Sequence, residues 1–74
     1  MSVTTLDVKG KKCPRPTLEM TIKVKALEEG DILEVIANCS TFENDVRIWC
    51  KRMRKALLLF KTESDGVMLC QVRI

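Results

Sequence analysis

Along the 74 residues the spacing of apolar side chains switches between two periods, and each switch marks an element. Val3–Val8 (VTTLDV) is rich in β-branched residues and is closed by Gly10, so it reads as a short strand. From Pro14 to about Glu28 the period lengthens. Thr17, Met20, Val24 and Leu27 share one helical face, while Glu19, Lys23 and Lys25 fall elsewhere, and Gly30 ends the helix. In the following DILEVIAN, Ile32, Leu33, Val35 and Ile36 form a nearly continuous apolar run, the pattern of a buried strand. The segment STFE then has the form of a capping box, in which Ser40 caps free amides and Glu43 reaches back. Phe42, Val46, Trp49 and Met53 recur after it at helical spacing and are expected to face the core. Two further strands, ALLLFKT and GVMLCQVRI, are joined through ESDG, whose Asp65-Gly66 is a strong turn signal.

The predicted order is β-α-β-α-β-β. So few elements bury their apolar faces only as two layers, which predicts an α/β sandwich with both helices on one face of a four-stranded mixed sheet. A chain of this length is expected to form one domain over residues 1–74. Chains of this size bury only about 60% of their unfolded surface, so a deep enclosed site is not expected. No linker, internal repeat or low-complexity segment interrupts the pattern.

Composition narrows the classes of function. Thirteen Lys and Arg against ten Asp and Glu leave a net charge of +3, too small an excess to imply a nucleic-acid partner without clustering. No apolar run approaches the ~20 residues of a membrane span. MSVTTLDVKG lacks the basic start and apolar stretch of a signal peptide, so the expected location is the cytoplasm. The four cysteines, Cys13, Cys39, Cys50 and Cys70, follow no regular framework, and in a reducing compartment they read as free thiols. There is no Cys-x-x-Cys pair and no histidine, which removes the commonest zinc spacings and any Cys-His catalytic couple. Neither a metal nor a cofactor is expected.

The candidate chemistry lies in KGKKCPRP. Cys13 directly precedes Pro14, and proline suits the first turn of a helix, so Cys13 is expected at a helix cap with Pro16 stiffening the turn. Unpaired amides, the positive end of the helix dipole, and Lys9, Lys11, Lys12 and Arg15 would all favour a thiolate. A thiolate is the nucleophile of sulfur exchange. The residues alone leave a second reading open, in which Cys13 is a small inert neighbour of the cap.

Other features carry weaker signals. Cys39 precedes Ser40 and so meets a second predicted helix start, either as a second thiol or as a buried filler. Cys50 and Cys70 read as core thiols. Arg47, Lys51, Arg52, Arg54 and Lys55 gather at the end of the second helix, where cations complement the dipole or form a docking face. RNA binding is disfavoured because Phe42, Trp49 and Phe60 are the only aromatic residues and two of them belong to the core stripe. Asp7 and Asp45 are expected to pair with the basic residues near Cys13 or to orient the loop.

Taken together, LDVKGKKCPRP, GDILEVIAN and NDVRIWC resemble the TusA/SirA family of small sulfur carriers, whose hallmark is Cys-Pro-x-Pro at the start of the first helix. The matching positions are Leu6, Asp7, Gly10, Cys13, Pro14, Pro16, Gly30, Leu33, Val35, Asp45 and Trp49. The resemblance implies a two-layer sandwich and a Cys13 that accepts sulfane sulfur as a persulfide and relays it. It also implies a sulfur donor such as a cysteine desulfurase or rhodanese-like protein, and a downstream acceptor protein. Asn38-Cys39 stands where many relay members carry two acidic residues, and Arg54-Lys55 where many carry Gly-His. The cysteine at the first of these sites is similar to the YeeD branch, which implies a thiosulfate-processing partner of a membrane thiosulfate transporter. Three functions therefore compete: a persulfide carrier, a thiosulfate-processing protein, and a non-catalytic regulatory or RNA-binding module. A monomer is expected in each.

Overall fold

β1 (Val3–Asp7) pairs in parallel with β2 (Ile32–Ala37), and the chain between them forms α1 (Arg15–Val24). After β2 come α2 (Phe42–Met53), β3 (Ala56–Thr62), a short 3₁₀ turn at Ser64–Gly66 and β4 (Met68–Arg73). The computed structural model describes residues 2–12 and 15–74. The sheet order is β1-β2-β4-β3, with β4 antiparallel to both β2 and β3, so the sheet is mixed as predicted.

Period-2 alternation decides which side of the sheet is buried. Leu33, Val35 and Ala37 on β2 and Cys70 and Val72 on β4 point into the core, while Ile32, Glu34 and Ile36 lie on the other, more open face. Met20 from α1 and Phe42, Val46 and Trp49 from α2 close the core from above. Each such side chain contributes about 1.5–3 kcal/mol by leaving water. Trp49 satisfies its indole by donating Nε1–H to Thr21 Oγ1 at 2.9 Å, and Thr21 in turn donates to the Thr17 carbonyl at 3.0 Å.

Three expectations are corrected. The first helix ends at Val24 instead of Glu28, because Lys25, Ala26 and Leu27 bond to carbonyls three residues back and tighten the last turn ahead of Gly30, whose φ is +94°. The capping box does not form. Thr41 is the cap residue and makes no side-chain cap bond, its hydroxyl reaching Asp45 Oδ2 at 3.0 Å, while Glu43 is taken by Arg47 at 2.9 Å. Met53, the last member of the expected stripe, is 36% exposed because the helix ends there. Arg54 follows in the left-handed conformation (φ 57°), and the Arg54 and Lys55 amides bond to Lys51 and Cys50 carbonyls, closing a Schellman end.

Candidate functional site

Because β1 and β2 run parallel, their C-terminal ends and the two loops that follow lie at the same edge of the sheet. Each loop leads into a helix N-terminus. The first loop leaves the sheet after Val8, which is buried and still bonds to the Ile36 carbonyl at 2.8 Å. Gly10 then turns the chain with φ +86°, a conformation that favours glycine. Its N–H donates to Asn38 Oδ1 at 2.9 Å and so ties the first loop to the second. Gly10–Lys12 and Asn38–Thr41 together line an open cavity of about 350 Å³.

The basic residues predicted around Cys13 divide into two pairs. Lys9 turns back to Asp7 at 3.8 Å, and Arg15 runs along α1 to Glu19 at 3.3 Å. Lys11 and Lys12 line the cavity and are exposed, and no ion pair is recorded for either among the described residues. Cys13 and Pro14, with the expected cap and lowered thiol titration, lie outside the described residues. Pro16 is fully buried in the first turn of α1.

Cys39 is half-buried in the cavity wall, its sulfur 3.6 Å from Thr41 Oγ1. Asp45 holds that threonine hydroxyl and not a basic neighbour of Cys13, while Asp7 holds Lys9 and accepts from its N–H at 3.0 Å. The expectation of four free thiols fails at Cys39, whose sulfur is disulfide-bonded. Sulfur pairing depends on distance and orientation in the fold, which the linear spacing of cysteines does not show. Cys50 and Cys70 are free and buried. Desolvation raises the Cys50 thiol, partly offset by Arg47. Cys70 is pushed up to about 12 by burial first and by nearby Cys50 second. Both are poor nucleophiles at neutral pH.

Asn38 and Thr41 are the site residues that sequence reasoning missed. Asn38 enters through its bond from the Gly10 N–H and Thr41 through its contact with the Cys39 sulfur, both made across or within loops that no local pattern marks. Elsewhere, Arg47 clasps Glu43 through Nε and Nη2 and lies 5.8 Å from the Phe60 ring centroid, which favours the structural reading of the second basic cluster. A larger opening of about 690 Å³ lies at the other end of β2, beside Leu27, Gly30, Arg54 and Ile74, and among the described residues no cysteine lines it. Among the described residues no helix is long and apolar enough to cross a membrane.

A four-stranded mixed sheet carrying two helices, with two loop-to-helix junctions at one edge, defines a small α/β sandwich. The chain matches the family Sulfurtransferase TusA over residues 4–74 and belongs to it. It is similar to a candidate sulfur carrier protein of Halobacterium salinarum, 38% identical over 69 residues, which are 93% of this chain and 85% of that protein. A candidate sulfur carrier of Neisseria meningitidis serogroup A is 36% identical over 73 residues, 99% of this chain and 97% of its own. Another, from Aquifex aeolicus, is 33% identical over 69 residues, and the match covers 93% of this chain but only 34% of that protein's length. The crystal structure of a SirA-like protein from Desulfitobacterium hafniense superposes with a TM-score of 0.82 at 19% identity, covering 99% of this chain and 96% of that one, and so shares the fold. Membership of the family makes sulfur transfer the general function, and transfer by a carrier involves a donor and an acceptor.

Proposed function

We propose that the protein carries sulfane sulfur as a persulfide on Cys13, working as one domain in a reducing compartment such as the cytoplasm. The observation that supports this most directly is the cavity at the edge of the sheet. Lys11 and Lys12, the residues leading directly into Cys13 in sequence, line it beside the start of α2. In the proposed step the Cys13 thiolate attacks the terminal sulfur of a donor persulfide. The donor's S–S bond breaks, and the donor leaves as a thiolate. A cysteine desulfurase or a rhodanese-like protein supplies such a persulfide, and an acceptor thiolate removes the sulfur by the same displacement. Lysine charge near the nucleophile favours its ionised form.

A second reading has its own support. Thiosulfate is a dianion, and Lys11 and Lys12 offer it two cations that carry no ion pair among the described residues. Attack of Cys13 on its outer sulfur would leave sulfite and the same persulfide. This is the chemistry a partner of a thiosulfate transporter would use. Incubation of the reduced protein with a cysteine desulfurase and cysteine, or with thiosulfate alone, followed by intact-mass measurement, separates the two donors. A protein that gains no sulfur from either contradicts both readings.

A further inference from the structure

We propose that Cys39 is a resolving thiol that discharges the Cys13 persulfide as hydrogen sulfide. This rests on Cys13 being the sulfur-bearing residue, and it adds an activity that a simple relay lacks. Three observations carry it. Cys39 lines the same cavity as Lys11 and Lys12, so it faces the segment that runs straight into Cys13. Gly10 N–H to Asn38 Oδ1 at 2.9 Å holds that segment against the residue preceding Cys39. Finally, the Cys39 sulfur is disulfide-bonded while Cys50 and Cys70 are free and buried, so of these three it is Cys39 that is placed to exchange.

In the step, the Cys39 thiolate attacks the inner, Cys13-bound sulfur of the persulfide. A Cys13–Cys39 bond forms, the bond to the outer sulfur breaks, and the outer sulfur leaves as hydrosulfide, taking up a proton as hydrogen sulfide. The outer sulfur gains two electrons and the two cysteine sulfurs together lose two, so no outside oxidant takes part. A dithiol reductant then reopens the disulfide and resets the carrier. Thr41 is placed to assist, because its hydroxyl lies between the Cys39 sulfur at 3.6 Å and the Asp45 carboxylate at 3.0 Å. That hydroxyl can turn toward a thiolate when the disulfide opens. The device gives an undelivered sulfur a way out and leaves the carrier closed until it is reduced.

The test uses the full chain, reduced and freed of reductant, loaded with cysteine desulfurase and cysteine, with the desulfurase removed before sulfide and intact mass are followed. Wild type is expected to release one equivalent of sulfide and to end two hydrogens lighter than the reduced protein. Cys39→Ser and Cys39→Ala, both checked for folding by circular dichroism, are expected to keep the added sulfur and release none. Cys50→Ala should behave as wild type. If wild type and the Cys39 variants hold their added sulfur equally long, Cys39 does not resolve and the carrier reading stands alone. If Cys13 loads in none of them, the carrier reading falls and this one with it.

Discussion

Replacing Asn38 with alanine removes a side chain that ties the loop after β1 to the loop after β2. The bond it loses is Gly10 N–H to Asn38 Oδ1 at 2.9 Å, between two exposed residues. A typical intramolecular hydrogen bond contributes about 0.5–1.5 kcal/mol net, and here the freed Gly10 amide can turn to water, so the lower half applies. The expected loss is ~0.5–1 kcal/mol, or about 2–8 °C in Tm for a domain of this size. Asn38→Asp is the control. A carboxylate also accepts from an N–H, so its Tm should stay within the equivalent of about 0.5 kcal/mol of wild type. Thermal unfolding in reducing buffer measures the stability. Amide exchange at Gly10, expected to quicken by about 2- to 5-fold in the alanine variant alone, locates the effect. If the aspartate variant loses as much as the alanine variant, or Gly10 exchanges at the wild-type rate in both, the tether does not hold the loops.

Arg54 adopts φ 57° at the end of α2, a conformation costing an ordinary residue about 1–2 kcal/mol, of which glycine's extra chain entropy returns roughly half. Arg54→Gly should therefore stabilise by ~0.5–1 kcal/mol in urea unfolding, and a loss would contradict the assignment. Cys70 is pushed up to about 12 from an ordinary 9.0, so the native state keeps a proton that the unfolded chain releases. The stability from this thiol is whole below about pH 9 and falls by roughly 1.4 kcal/mol per pH unit above it, so Cys70→Ala should show a shallower alkaline decline, and equal slopes would refute the burial argument. Trp49→Phe removes the Nε1 bond to Thr21 and some core volume, an expected loss of about 1–3 kcal/mol by the same unfolding assay.

The order of elements, the mixed sheet and the Phe42, Val46 and Trp49 stripe were legible because hydrophobic period and turn chemistry are local properties. Helix ends were less so. STFE satisfies the capping-box pattern, yet Thr41 and Asp45 compete for the same turn, and a four-residue motif cannot rank them. The Arg54 and Lys55 departure from Gly-His acquires a backbone meaning only once Arg54 is seen in the left-handed region, where glycine fits more easily. At the site, the cations flanking Cys13 are evident in KGKKCPRP. The division between Lys9 and Arg15, which face carboxylates, and Lys11 and Lys12, which line the cavity, depends on side-chain direction. The meeting of Gly10–Lys12 with Asn38–Thr41 is a product of parallel pairing between strands 29 residues apart in register, such as Val3 with Ile32, and no local pattern encodes it.

The central claim is that sulfur is carried on Cys13. Peptide mapping after brief loading with a sulfane-sulfur donor tests it most directly, with Cys39→Ser as background so that the persulfide persists. One added sulfur on the peptide containing Cys13, with Cys50 and Cys70 unmodified behind their burial and raised titration, is the predicted result. Equal loading of every cysteine, or loading that survives Cys13→Ser unchanged, would contradict it.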